Sequence, residues 1–182
     1  MNRLDQFERL ALPHMTAAHT LAYWLMRNRS DAEDVVQDAY LRAFRGFSGF
    51  RGGDFRVWLL TIVRNAAFRA MSDRSRQSNV FPLRDALPAV DPVEDMASAD
   101  PSPEDQLIAK NDQALVLRAL EELPPLNREA LVLREVEGLT YKDIATVTGV
   151  PVGTVMSRLA RGREQLRAKL ETQAEKDRRH GL

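Results

Sequence analysis

Apolar side chains in the first part of the chain recur at helical spacing, not in the alternating pattern of a half-buried strand. Leu21 and Leu25 belong to one such block, and Val35, Val36 and Ala39 belong to the next. No run of alternating apolar and polar residues accompanies these blocks. The pattern therefore predicts an all-α N-terminal lobe.

Polar residues at the edges of these blocks predict where helices begin. Ser30 followed by Glu33 has the spacing of a capping box, which would open a helix running to about Phe44. A glycine-rich loop follows, and Asp54 then precedes the apolar block that would form the last helix of the lobe. The lobe is thus expected to end in a helix–loop–helix arrangement.

The C-terminal part of the chain carries sequence signals for two helices joined by a short turn. Thr140 is placed to cap a short helix, and Gly149 follows where the chain must turn sharply. Pro151 cannot continue that helix but is compatible with opening another, which would run to about Leu170. This order of helix, tight turn and helix predicts a helix-turn-helix.

The second of these helices has two contrasting faces. Apolar or small residues at i, i+4, i+7 and i+11 predict an inward stripe of Val155, Leu159, Gly162 and Leu166. Hydrogen-bonding residues are expected on the opposite face: Thr154, Ser157, Arg158, Arg161 and Gln165. Side chains of these kinds contact phosphates and base edges in the major groove, so the pattern favours DNA binding over an ordinary solvated face.

A segment without helical or alternating periodicity separates the two helical lobes. From Met71 to Pro103 it holds five prolines and six acidic residues, and such a composition cannot bury enough apolar surface to fold alone. We therefore divide the chain into an N-terminal domain at 1–72, an acidic linker at 73–103, a C-terminal domain at 104–172 and a charged tail at 173–182.

The charge distribution and the absence of cysteine argue against several functions and kinds of site. The 182 residues carry 26 basic and 26 acidic side chains, which argues against nonspecific coating of DNA by net charge alone. Basic residues exceed acidic ones by 10 to 7 in residues 1–72, whereas acidic residues exceed basic ones by 8 to 4 in residues 73–110. With no cysteine, the chain can form neither a disulfide nor a thiolate metal site.

The start of the chain is charged and lacks the apolar stretch of a signal peptide, and no window approaches the length of a membrane span. We therefore expect a soluble protein of the cytoplasm.

Specific motifs in the C-terminal domain resemble a known family. The run LTYKDIATVTGVPVGTVMSRLARGREQLRAKL, from Leu139 to Leu170, resembles the minus-35-reading domain of bacterial sigma factors of the extracytoplasmic-function (ECF) group. The preceding run ELPPLNREALVLREVEGLTY, from Glu122 to Tyr141, is similar to the leucine-rich helix that leads into that domain.

The N-terminal domain resembles sigma domain 2 in two places. DAEDVVQDAYLRAF, from Asp31 to Phe44, is similar to the helix that grips the clamp coiled coil of RNA polymerase, and FRGGDFRVWLLTIVRNAAFRAM, from Phe50 to Met71, is similar to the segment that melts and reads the minus-10 element. The resemblance implies an all-α sigma factor that directs promoter-specific initiation. It also implies as partners promoter DNA, core RNA polymerase through its beta-prime clamp and beta flap, and an anti-sigma factor.

The resemblance assigns roles to individual residues. Polymerase binding is expected of Asp34, Val35, Gln37 and Asp38, with Val35 supplying apolar contact or core. Minus-10 contacts are expected of Phe50, Arg51, Trp58, Arg64, Asn65 and Arg69, with Trp58 mostly in the core. Minus-35 contacts are expected of Thr154, Ser157, Arg158, Arg161 and Gln165. No cofactor and no metal are expected.

Two positions depart from the family pattern. Many members carry Lys or Arg where this chain has Met156, and an aromatic or long residue where it has Ala160. Both can offer only apolar contact, for example to a thymine methyl group, so the neighbouring Ser157, Arg158 and Arg161 would carry more of the readout.

The linker has its own expected role. In the family it threads the polymerase near the path of nucleic acid, where an acidic chain can lie. By that resemblance, replacing Asp91, Glu94, Asp95 and Asp100 with serine should weaken assembly or alter early transcription.

Two other classes of protein remain as alternatives. An enzyme would have to combine carboxylates such as Asp31 and Glu33 with His14 or His19, but the histidines lie on different helix faces and no phosphate loop or nucleophile motif is present. A conventional activator or repressor would share the helix-turn-helix. It would need a sensor or dimerisation lobe in place of the segment that resembles a polymerase-binding helix.

Overall fold

The structure is a computed structural model that describes residues 2–78 and 114–180. All regular elements in these two ranges are helical, as predicted. The linker residues Asp91, Glu94, Asp95 and Asp100 lie outside the described residues.

Four helices form the N-terminal half. They are α1 (Arg3–Ala11), α2 (Met15–Met26), α3 (Arg29–Gly46) and α4 (Phe55–Ser78), with single 3₁₀ turns after α1 and α3. Helix α4 packs against α2 and α3, which makes it the central element of this half. It continues six residues past position 72, where the sequence predicted the domain to end.

The described C-terminal half begins in a helix, α5 (residues 114–121). It continues with α6 (Pro125–Leu131), a π-helical turn (Val132–Val136), α7 (Tyr141–Thr148) and α8 (Val152–His180). Helix α8 extends ten residues past Leu170, the predicted end of the second helix of the helix-turn-helix.

The predicted capping box at Ser30 is wrong. Helix α3 begins one residue earlier, and its N-cap is Asn28, whose side-chain oxygen accepts a hydrogen bond from the backbone N–H of Asp31 at 3.0 Å. Arg27 ends α2 in the left-handed conformation, with φ of 55°, so the chain turns before Ser30 is reached. Asparagine caps a helix as well as serine does, so Asn28 takes the N-cap position. Ser30 therefore lies in the first turn of α3.

The start of α4 after Asp54 and the predicted cap and turn of α7 are present. The Asp54 carboxylate accepts hydrogen bonds from the backbone N–H groups of Arg56 and Val57, which fixes the start of α4. Thr140 and Asp143 form a reciprocal capping box at the start of α7, and Gly149 ends that helix with φ of 69°, a conformation that glycine adopts without strain. The helix-turn-helix is thus built by the local signals that predicted it.

The two halves pack on each other. Among the described residues, the buried apolar side chains form a continuous cluster that includes Leu59, Leu60 and Val63 of α4 together with Leu133 and Ile144 of the C-terminal half. Helix α4 lies against α7, and α2 lies against α6. The helix that carries most of the predicted minus-10 residues is therefore also the helix on which the C-terminal half rests.

In the ranges 2–78 and 114–180, no helix combines the length and apolar character that crossing a membrane would demand.

Candidate nucleic-acid interface

The outward face of α8 starts at its N-terminal turns. Met156 is 53% exposed, and Ser157, Ala160 and Arg161 are exposed beside it. The Ser157 hydroxyl donates to backbone carbonyls one turn earlier in its own helix. This face has the shape and donors that a major-groove helix needs.

Two of the predicted DNA contacts lie elsewhere. Arg158 is only partly exposed, and its Nη1 atom is buried without a hydrogen-bond partner among the described residues. Gln165 accepts a hydrogen bond from the side-chain amide of Asn127 on α6 at 3.0 Å. The helical pattern predicts both on the outward face, but both turn toward the rest of the C-terminal half. Thr154 is half-buried, at the border between the outward face and the buried side of α8.

Three of the four residues of the predicted inward stripe of α8 are buried, and the fourth, Leu166, is partly buried and packs against the core. Val155 and Leu159 are each 1% exposed. Gly162 is buried where α8 crosses α6, and a Cβ at this position would lie 3.0 Å from Leu131 Cδ1 and 3.3 Å from the backbone oxygen of Asn127. Gly162 thus allows the close approach of two helices that its place in the sequence suggested.

The aromatic residues near the start of α4 form a cluster. The Phe50 ring packs on Phe55 at 5.3 Å and on Trp58 at 5.1 Å between ring centroids, and Phe7 lies on the other side of Phe55. Phe50 and Trp58 are partly buried here, whereas Arg51 is exposed at the edge of the cluster. The rings of Phe50 and Trp58 are therefore supported from behind, and each keeps one part of its surface open.

The three polar residues predicted to contact DNA farther along α4 face different surroundings. Asn65 is exposed. Arg69 is exposed and lines a groove between α3 and α4 together with Asp34 and Asp38. Arg64 is covered: its side chain is 15% exposed, and its guanidinium packs on the ring of Phe68.

The partner of Arg64 comes from the C-terminal half. Its Nε donates to the carboxylate of Glu129 on α6 at 2.5 Å, and the Glu129 side chain is fully buried. Burial raises the pKa of the Glu129 carboxyl, while the hydrogen bond and charge of Arg64 and the charge of Arg158 act in the opposite direction. One buried carboxylate thus binds an arginine of the predicted minus-10 helix and also feels the charge of an arginine of the predicted minus-35 helix.

A second ion pair joins the two halves. The Arg56 guanidinium, near the start of α4, donates to the carboxylate of Glu137, whose side chain is 7% exposed. Glu137 directly follows the π-helical turn, and its backbone N–H donates to the carbonyl of Val132 five residues back. Such a turn adds one residue to the helical register, which changes the direction in which the next side chain points.

Sequence reasoning missed both glutamates. The available signal was position: Glu129 lies four residues before the fully buried Leu133, so helical periodicity puts a carboxylate on the apolar face of its helix. A buried carboxylate requires a cationic or hydrogen-bonding partner. Nothing in the pattern indicated that the partner would come from the other half of the chain.

The residues predicted to bind polymerase lie on two sides of α3. Asp34 is exposed, and Asp38 pairs with Arg42 one turn later at 2.6 Å. Gln37 is exposed on the side that faces α1, whereas Val35 is 4% exposed and belongs to the core. Of the four residues predicted to bind polymerase, the two aspartates and the glutamine are therefore accessible to a partner, and Val35 is not.

No grouping of three or more histidine, aspartate or glutamate side chains suited to a metal ion occurs within the described parts of the chain.

Comparison with protein families divides the chain in the same way as the fold. The family model described as Sigma-70 region 2 matches residues 10–77, and the one described as Sigma-70, region 4 matches residues 113–166. The first match includes α2, α3 and α4, and the second includes the helix-turn-helix.

Curated relatives carry the same combination. The chain is 36% identical over 165 residues to the RNA polymerase sigma-H factor of Pseudomonas aeruginosa, with 88% of this chain and 83% of that protein covered. It is 36% identical over 143 residues to the ECF RNA polymerase sigma-E factor of Escherichia coli K12, with 78% and 74% covered. Against the ECF RNA polymerase sigma factor SigE of Mycolicibacterium smegmatis the identity is 36%, and the match spans 90% of this chain but 61% of that protein.

Two solved structures resemble the whole arrangement. The sigma factor RpoE from Bartonella quintana, in complex with the anti-sigma factor NepR, matches with a TM-score of 0.73 and 28% identity over 91% of this chain and 97% of RpoE. CnrH, in complex with the cytosolic domain of CnrY, matches with a TM-score of 0.61 and 25% identity over 91% and 88%. From its two family matches, its fold and these relatives, the chain belongs to the ECF group of RNA polymerase sigma factors.

Proposed function

We propose that this protein binds core RNA polymerase and directs promoter-specific initiation by reading minus-35 and minus-10 elements. The observation that carries the proposal is the order of the two sigma regions in one chain, each with its functional helix formed. A conventional activator would need only the helix-turn-helix. It would have no use for an α3 and α4 of sigma type ahead of it.

Reading of the minus-35 element is assigned to the first turns of α8. Ser157 and Arg161 are exposed there beside Met156, and Thr154 lies at their edge. Arginine reads guanine with two hydrogen bonds, while serine and threonine position the helix on phosphates. Arg158 and Gln165 support this face from within the C-terminal half.

Reading and melting of the minus-10 element is assigned to the loop before α4 and to α4 itself. Asn65 is exposed and can form two hydrogen bonds with a base edge. Phe50 and Trp58 offer supported aromatic surface, and stacking of an unpaired base on such a ring is worth about 1–3 kcal/mol. Arg51 and Arg69, both exposed, would bind backbone phosphates.

Binding to polymerase is assigned to the outward surface of α3. Asp34 and Asp38 lie one turn apart, with Gln37 beside them, and present negative charge to a basic partner surface. The C-terminal half would engage the beta flap.

An anti-sigma factor is the expected inhibitor. The arrangement of the two halves matches that of RpoE bound to NepR over nearly the whole chain. We call this form, in which the two halves pack on each other, the closed form, and it has the shape of an inhibited sigma factor. We assign the protein to the cytoplasm, where its relatives' polymerase acts, and assign it no cofactor and no catalytic activity of its own.

Run-off transcription with purified core polymerase tests the proposal. The full chain should enable initiation from a subset of promoters selected from a random library, with shared sequences near minus-35 and minus-10. An Asp34→Lys/Asp38→Lys double variant should lose polymerase binding, because it reverses the charge of the α3 surface while both positions remain solvent-accessible.

A matched control reverses two charges at the same spacing outside the site. Glu171→Lys/Glu175→Lys changes two exposed residues of α8 and should transcribe like the wild type. If the wild-type chain binds DNA but never enables core polymerase to start, the protein is a conventional regulator and the proposal is wrong.

A further inference from the structure

The two ion pairs between the halves lie along one helix. Arg56 and Arg64 are eight residues apart on α4, so they are separated by about 12 Å along its axis. Arg56 binds Glu137 beside the π-helical turn, and Arg64 binds Glu129 on α6. The C-terminal half is therefore fastened to α4 at two points.

One of these two contacts occupies a residue that is predicted to read DNA. Arg64 is one of the residues that the sequence predicts to contact the minus-10 element, and only 15% of its side chain is exposed. Its guanidinium donates to Glu129 through both Nε and Nη2, which are the donors a phosphate would need. While the Nε and Nη2 edge of Arg64 binds Glu129 and most of the side chain is covered, that edge is closed to a promoter phosphate.

Helix α8, which carries the predicted minus-35 residues, also contributes a charge near Glu129. Arg158 of α8 lies close enough to Glu129 for its charge to act on that carboxylate, and its Nη1 atom is buried with no hydrogen-bond partner in the part of the chain that the structure describes. The buried glutamate therefore has an arginine of each proposed DNA-reading helix beside it.

We infer that the ion pairs Arg64–Glu129 and Arg56–Glu137 form an intramolecular latch that holds the two halves of the free chain together and keeps Arg64 of α4 from the promoter. The latch needs no inhibitor, because all four residues belong to this chain. Polymerase binding separates the halves and exposes Arg64. An anti-sigma factor then acts on a chain that is already closed. The latch itself is a property of the fold, and its effect on promoter reading rests on the proposed function.

The Arg56–Glu137 pair allows the sharper test, since neither residue belongs to a proposed DNA or polymerase contact. Arg56→Glu and Glu137→Arg each place like charges face to face and should open the chain. The double variant Arg56→Glu/Glu137→Arg restores opposite charges and should close it again. Arg56 is 30% exposed, so its single variant remains informative even if the change at the more buried Glu137 impairs folding.

The matched control uses the same substitution two residues away. Glu135 pairs with Arg163 at 2.7 Å, and both belong to the C-terminal half and are about half exposed. Glu135→Arg removes an ion pair of similar length without touching the contact between the halves, so it should leave the chain closed.

The distance between the halves can be measured directly. The chain has no cysteine, so Thr16→Cys and Thr146→Cys, both at exposed positions, introduce a specific pair of spin labels for pulsed EPR. The wild type and Glu135→Arg should give one short-distance population. Arg56→Glu should add a longer-distance population, and the double variant should remove it.

Affinity for core polymerase provides the functional measurement. If only the open form binds productively, the apparent affinity is reduced by the open fraction, so Arg56→Glu should bind at least about threefold more tightly than the wild type. The double variant should return to the wild-type affinity.

Identical distances and affinities in the wild type, Arg56→Glu and Glu137→Arg would overturn the latch while leaving the sigma function intact. Conversely, opening in the distance measurement with no binding to polymerase by any variant would uphold the latch and overturn the proposed function. The two failures are thus separate.

Discussion

At the scale of single residues, the position of an arginine relative to the buried stripe of α8 decides whether its side chain is exposed. Arg158 lies three residues after Val155 and one before Leu159, both 1% exposed, so helical geometry puts it at the border of the inward face. Arg161 lies farther around the helix and is exposed. Residue type alone favoured both for DNA contact, and only the position of the stripe distinguishes them.

The two arginines should therefore respond differently to removal. Arg161→Ala should weaken discrimination at the minus-35 element by about 1–3 kcal/mol and leave the free energy of unfolding nearly unchanged. Arg158→Ala should lower the free energy of unfolding by about 1–3 kcal/mol, because it removes a positive charge beside the buried Glu129. Urea unfolding and binding of holoenzyme to minus-35 variants measure the two effects. Equal loss of stability in both variants would contradict this assignment.

At the scale of elements, local signals located most helix ends and missed others for a physical reason. Thr140, Gly149 and Asp54 were identified because caps act within a few residues of sequence. The box at Ser30 was misjudged because Asn28, two residues earlier, can cap equally well. The extension of α8 to His180 was also missed, since a charged segment without an apolar stripe gives no signal for where a helix ends.

The crossing of α6 and α8 yields a prediction about one glycine. Gly162→Val should destabilise the protein by about 1–3 kcal/mol, because its Cβ and methyl groups would overlap Leu131 and the backbone of Asn127. Gly153→Val in the same helix is the control, since a Cβ there meets no atom of residues 2–78 or 114–180 within 4 Å. Urea unfolding should show a clearly larger loss at Gly162. A loss of equal size at Gly153 would mean that helix propensity, and not crowding, sets the effect.

At the scale of the whole molecule, the sequence predicted two helical halves but not how they meet. Each half was recognisable from periodicity and motif, because both arise from contacts close in sequence. The pairing of Arg64 with Glu129 joins residues 65 positions apart, and no local pattern encodes it. The sequence therefore predicts a set of exposed DNA-reading residues on α4. In the closed chain one of them, Arg64, is covered.

The shared core predicts that the halves unfold together. Both tryptophans, Trp24 and Trp58, lie in the N-terminal half, so fluorescence reports on that half while circular dichroism reports helices of both. In the wild type the two urea transitions should coincide. In Arg56→Glu they should separate, because the C-terminal half loses part of its support. Separate transitions in the wild type would contradict a common core.

Helix α8 runs without a break from Val152 to His180, a length of about 43 Å. Such a helix behaves as a stiff rod, so its distal end and its DNA-facing turn keep a fixed mutual orientation. Glu175 is exposed and lies about 27 Å from Ser157 along the axis. A rigidly attached fluorophore at Glu175 would therefore report, through its polarisation, the angle at which the recognition turn enters the promoter, without touching the DNA.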